Sequence, residues 1–193
     1  MRLEILNRGY GPGTKVLFAL IRVFSGHPVP DAARLVFYRP GFYGDGAKKF
    51  THEAMRGPSA WSVADRELMA AFVSKVNESA FCVAAHTATA GQAYPGRREG
   101  FKRCWPTWNR PPSRTGSGPR CECSAADPGR KGGAGDMREV LSAGVSRQQV
   151  QDALAVCAAF NTTGRLADAF GFELLSPEGF EAGAKYLLKW GYR

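Results

Sequence analysis

Three side chains have types and spacing that suit chemistry: Glu67, Cys82 and His86. Cys82 and His86 are four residues apart, so on a helix they share one face, and Ser79 lies three before Cys82 on the same side. A free thiol titrates near ~8.5, and a helix N-terminus with a neighbouring imidazolium lowers that value. Each unit of lowering reflects about 1.4 kcal/mol of preference for the thiolate. A carboxylate holding the histidine in one tautomer would let the imidazole carry a proton to or from the sulfur. Each residue also has a plainer role open to it. A cysteine on an alanine-rich helix serves as a small buried hydrophobe. A lone histidine can be satisfied in the core or at the surface, and Glu67 beside Arg66 can be a solvated charge.

The elements that must position these groups lie between Ser59 and Ala90. Ser62 followed by Asp65 has the pattern of a capping box. Val63, Leu68, Ala71, Phe72 and Val76 then repeat at helical spacing. A break is expected at Asn77-Glu78, and a cap at Glu78 or Ser79 opens a second helix with Cys82 in its first turn. Glu67 precedes Asn77 by about as many residues as His86 follows it, each about 15 Å along its helix at ~1.5 Å per residue. Folding back about Asn77 brings Glu67, His86 and Cys82 together.

Glu67, then Ser79-Ala-Phe-Cys82-Val-Ala-Ala-His86, resembles the signature of the alkylhydroperoxidase D-like branch of the carboxymuconolactone decarboxylase family. That signature is a glutamate, a Cys-x-x-Cys twelve residues on, and a histidine four after the second cysteine. Glu67, Cys82 and His86 match it at the family spacing, over about residues 15–90 and again 136–190. The resemblance implies an all-α bundle whose central helical hairpin carries the site, usually in a homo-oligomer. It also implies thiol-dependent peroxide reduction, with acid and histidine relaying protons to the cysteines. Ser79 departs from the pattern, standing where the first cysteine belongs, and Phe81 occupies a place that sometimes carries a second relay histidine. A hydroxyl forms no disulfide, so Cys82 oxidised by a peroxide would stop at the sulfenic acid until an external thiol or another cysteine resolved it.

The expectation is therefore a cysteine-dependent oxidoreductase acting on peroxides or other electrophiles with an external thiol reductant. Cys82 is its nucleophile, His86 the relay, Glu67 its orienter and Ser79 a supporting hydrogen bonder. A decarboxylase or isomerase using His86 and Glu67 as acid and base, and a binding protein without chemistry, are the alternatives.

At 193 residues with 44% apolar content, the chain suits one domain with a real core. Its most apolar run, Val16 to Phe24, is interrupted by Arg22 and too short to span a bilayer. Neither a signal peptide nor a membrane partner is expected. Five cysteines without framework spacing suit reduced thiols in a cytoplasm. The net charge of +9 is local: between Gly91 and Gly135 nine basic residues face three acids, leaving little excess elsewhere. That segment also holds 9 of the 23 glycines and 6 of the 12 prolines, so it is expected to be irregular. It reads as a disordered basic linker, as a stretch translated in a shifted frame, or as a nucleic-acid-binding arm built on Phe101, Trp105 and Trp108. The last is the least favoured, and no nucleic-acid partner is expected. Cys104, Cys121 and Cys123 lack a fourth zinc ligand at finger spacing, and no phosphate-binding loop is present, so no cofactor is implied.

The flanks read as helices. Residues 1–11 are a polar lead; 14–24, 31–38 and 47–56 are helical, with Phe37, Tyr38, Phe42 and Tyr43 packed over the site or lining a substrate pocket. His52 is expected at the surface. After the irregular segment, Asp136 is expected to cap a short helix, and Ser146 with Gln149 to open a long one. Val150, Leu154, Cys157 and Phe160 are its expected buried stripe; Asn161 to Asp168 follows, with Gly171 closing the next helix. Asn161, Arg165 and Asp168 are read as structural, the last two as a helix staple. Ser176-Pro177 opens a final helix, on which Leu187, Leu188, Trp190 and Tyr192 serve an oligomer interface or the core.

Overall fold

The computed structural model describes residues 1–94 and 133–192. Within them the chain is all-α: α1 (Ile5–Arg8), α2 (Pro12–Ser25), α3 (Asp31–Tyr38), a π-helical turn (Pro40–Gly44), α4 (Asp45–Arg56), α5 (Val63–Val76), α6 (Ala80–Ala93), α7 (Ala134–Ser142), α8 (Arg147–Phe170) and α9 (Pro177–Trp190). Among these residues no helix is long and apolar enough to cross a membrane. The questions raised above about the basic segment, its shifted frame and Cys104, Cys121 and Cys123 fall outside the described residues. Its margins are helical, since α6 runs to Ala93 and α7 starts at Ala134.

The central hairpin forms where its sequence signals place it. Ser62 Oγ accepts from the Asp65 amide at 3.1 Å while Asp65 Oδ2 accepts from the Ser62 amide at 3.1 Å, closing the capping box of α5. At the break, Glu78 takes a left-handed φ of 58°, and the Ser79 amide donates to Ser74 O at 2.9 Å. The chain thus turns without leaving the reversal's amide orphaned. Ser79 is the N-cap residue of α6.

Around the hairpin, α8 packs against α5, α4 and α6, and α9 covers α6. Met55, Ala70, Val156, Ala159 and Phe160 form one core cluster, while Phe81, Cys82 and Ala167 form a second against Phe172, Leu175 and Phe180. The buried stripe of α8 is rotated from the expected one. Val156, Ala159, Phe160, Gly164 and Ala167 face inward, Cys157 is half-buried and Leu154 is 59% exposed. Small side chains decide this orientation, because they let α8 approach the hairpin closely; a Cβ on Gly164 would already lie 3.5 Å from Ser79 Cβ.

Nor does a separate helix follow Phe160, since α8 runs on through Asn161 to Asp168. Thr162 and Thr163 donate their hydroxyls back to Ala158 O and Ala159 O, at 3.1 and 2.9 Å, and so stay within the helix. Asp136 sits at the third position of α7, and Gly133 is the N-cap. Gly144 and Gly171 both have positive φ just beyond their helices, as left-handed helix stops require. Residues 1–11 are more than a polar lead, for Leu6 and Tyr10 are buried and α1 is held against α3. Tyr38 and Phe37 join Tyr10 and Phe18 in an aromatic cluster there.

Candidate active site

Glu67 and His86 meet across the hairpin. His86 Nδ1 lies 2.7 Å from Glu67 Oε2, and the two side chains are 4% and 0% exposed. Glu67 is therefore no solvated charge. Facing a carboxylate, Nδ1 carries the proton and donates it, which leaves the Nε2 lone pair free for other work. Phe160 sets the ring from the side, its centroid 4.2 Å from the imidazole at 73° between planes.

The carboxylate has two further partners that the spacing did not announce. Arg56 Nη2, from the last turn of α4, donates to Glu67 Oε1 at 2.7 Å. Tyr192 Oη lies 3.0 Å from Oε1 and 3.2 Å from Oε2. Tyr192 thus belongs to the site, whereas Trp190 is 56% exposed. Its placement depends on Gly191, whose φ of 69° turns the chain back after α9. A Cβ there would fall 2.7 Å from His52 Cε1. His52 in turn accepts from the Tyr192 amide at 3.3 Å, so it anchors the chain end and is not a bystander at the surface.

Electrostatics follow from burial. Burial opposes the Glu67 charge, but the bonds and charges of His86 and Arg56 overcome it, and the carboxyl titrates below the ordinary carboxylate range. Tyr192 is driven well above an ordinary phenol, first by burial and then by the Glu67 charge, so its hydroxyl remains a donor.

Cys82 lies on the same buried face of α6 as His86, in the helix's first turn, and is 2% exposed. Ser79 is fully buried near it and donates to Gly164 O at 3.4 Å, and Ser74, also fully buried, donates to Ala70 O at 2.7 Å. The expected depression of the thiol is nevertheless reversed. Burial pushes Cys82 up from an ordinary 9.0 to about 11, the two serines offset only part of this, and the Asp168 charge adds to it. That rise disfavours the thiolate by about 3 kcal/mol, more than the ~0.3–1 kcal/mol that a helix terminus typically supplies. Asp168, read above as the partner of Arg165, thus acts on the sulfur. Tyr43, from the π-helical turn, is raised first by burial, with Thr163 offsetting part of this and the Cys82 charge adding to it.

The resting thiol is accordingly protonated at neutral pH. Alkylation of Cys82 should accelerate tenfold per pH unit up to at least pH 10 without levelling. A plateau below pH 9, followed by mass spectrometry of the labelled peptide, would contradict the buried setting. Among the described residues, no cluster of three or more His, Cys, Asp or Glu side chains is arranged to hold a metal ion.

No family model matches the chain, and no curated protein matches it. Among solved structures, it is similar to the crystal structure of an uncharacterized peroxidase-related protein from Silicibacter sp. TM1040. The TM-score is 0.66 at 18% sequence identity, over 94% of this chain and 95% of that one. The two chains share a fold. At such low identity the likeness is one of architecture: the all-α arrangement expected from the hairpin signature is the one found.

Arg56 and Tyr192 are the residues that sequence reasoning missed. Arg56 precedes a Gly-Pro pair, where an arginine reads as an ordinary basic residue in the last turn of a helix. Tyr192 lies 125 residues from Glu67, and no local pattern connects them.

Proposed function

We propose that the protein is a peroxidase-type oxidoreductase that reduces hydroperoxides through Cys82, with an external thiol as reductant. The 2.7 Å contact between Glu67 and His86, on the helix face that carries Cys82, is the observation that supports this reading. In the first step His86 Nε2 takes the thiol proton, and the sulfur attacks the distal peroxide oxygen. An S–O bond forms, the O–O bond breaks, and the departing alkoxide takes the proton back from His86. The products are an alcohol and a Cys82 sulfenic acid, with sulfur oxidised and peroxide reduced by two electrons.

Ser79 supplies no second sulfur. A small thiol must therefore attack the sulfenic acid, releasing water and forming a mixed disulfide, which a second thiol opens to restore Cys82. A sulfur this buried and this basic reacts only when the site opens and a base is at hand. Glu67 orients that base, and Ser79 holds the sulfur in place.

Cys82→Ser should lower thiol-dependent hydroperoxide consumption to the uncatalysed rate, while Cys157→Ser leaves it unchanged. A sulfenic-acid trap should label Cys82 in the wild type. Undiminished turnover in Cys82→Ser would end the redox reading and leave His86 and Glu67 as an acid–base pair.

A further inference from the structure

We propose that the Tyr192 hydroxyl is a positioning group for the Glu67–His86 pair, tuning the basicity of the imidazole through the carboxylate they share. The inference rests on reading that pair as the proton relay, but its test does not require turnover.

The carboxylate is shared three ways. Oε1 receives Arg56 Nη2 at 2.7 Å and Tyr192 Oη at 3.0 Å, while Oε2 faces His86 Nδ1 at 2.7 Å and Tyr192 Oη at 3.2 Å. The tyrosine oxygen is also 3.5 Å from His86 Nδ1, and the two rings are stacked with centroids 6.5 Å apart. A phenol has one proton to donate. With Nδ1–H already directed at Oε2, the tyrosine proton goes to the carboxylate, and His86 is confined to the tautomer whose Nε2 is free. The same hydroxyl withdraws electron density from the carboxylate, so the carboxylate pulls less on the His86 proton.

Other charged and titratable groups among the described residues act around the ring, and none of these duplicates this hydroxyl. Arg56 comes from α4, with its guanidinium carbon 5.1 Å from the Tyr192 ring centroid. Cys82 lies on α6 itself, with Asp168 of α8 and Tyr43 of the π-helical turn acting on its sulfur. From α8 the imidazole meets the uncharged edge of Phe160. His52 of α4 holds the Tyr192 backbone, not its hydroxyl. The phenol is raised well above its ordinary range by burial and by Glu67, which keeps it a donor across the working pH range.

Tyr192 is also placed to be specific. Gly191 permits the reversal that carries it inward, and the ring rests on the core cluster that includes Phe160. On its outer side it lines a cavity of about 420 Å³ with Asp45, Lys48, Lys49, His52 and Glu53. The tyrosine thus bridges an open face of the molecule and a carboxylate that solvent does not reach.

The test is Tyr192→Phe, which keeps the ring and removes the oxygen. NMR titration of the His86 ring should then give a midpoint about one pH unit higher than in the wild type, at a melting temperature within a few degrees. Incorporating 3-fluorotyrosine at 192, a stronger donor, should move the midpoint down. The acidic limb of the peroxide pH–rate profile should follow in the same directions. An unmoved His86 midpoint in both variants overturns the proposal, and the fluorinated chain decides if the phenylalanine variant does not fold. A moved midpoint without any peroxide turnover would support the positioning role and sink the peroxidase reading instead.

Discussion

Glu67→Gln is expected to destabilise the protein by about 3–5 kcal/mol, the cost of leaving one partner of a buried ion pair without the other. The side chain is 0% exposed and Arg56 is 10% exposed, so water cannot replace the lost charge. The Arg56 guanidinium would keep carbonyl contacts at Met55 and Leu187, but no anion. The tyrosine and histidine donors would face an amide that accepts through one oxygen only. Adding Arg56→Met should recover part of the loss, since removing both charges costs less than stranding one. Denaturant unfolding of the two single variants and the double variant measures this directly. A loss below 1 kcal/mol for Glu67→Gln would mean that the pair is solvated and the buried geometry wrong.

The same group sets a pH dependence. The folded carboxyl of Glu67 titrates below its unfolded value, so its stabilisation is complete above about pH 4.3. It is lost as the pH falls through the lower folded value. Cys82 acts at the other end. Its folded thiol titrates at about 11 against an ordinary 9.0, so the fold is favoured below that ordinary value and weakens as pH rises towards 11.

His86→Gln carries the second large effect: peroxide turnover should fall by 10²–10⁴-fold, the usual range for losing a positioned general base. Cys82 itself makes the size plausible. With the thiol at about 11, the thiolate fraction at pH 7 is roughly 10⁻⁴. A base at the sulfur must therefore offset a deficit of the same order as its own usual contribution. Glutamine can still donate to Glu67, so the fold should lose much less than in Glu67→Gln. Steady-state kinetics and a melting curve on one preparation separate the two effects. A fall of less than tenfold, with folding intact, would remove His86 from the chemistry.

The helical hairpin was legible because its signals are local. A serine with an aspartate three residues on, apolar residues at helical spacing, and Asn77-Glu78 at the turn act within a few residues of themselves. Nearly equal distances from the turn then brought Glu67 to His86. The face of α8 was misjudged because large apolar residues were assumed to point inward, whereas Ala159, Gly164 and Ala167 let the helices close up and leave Leu154 outside. Its continuation past Phe160 was misjudged because Thr162 and Thr163 can bond to their own helix.

What the chain's own order determined was an all-α bundle and the approach of an acid to an imidazole, since helix periodicity and a turn are properties of neighbouring residues. Only the tertiary structure decided how those groups behave. It drew Arg56 and Tyr192 onto the carboxylate from α4 and from beyond α9, at sequence separations where no spacing rule operates. It also enclosed Cys82 so fully that burial outweighs the helix terminus and keeps the sulfur protonated. Desolvation depends on everything packed around a group, and that is a sum over the whole fold.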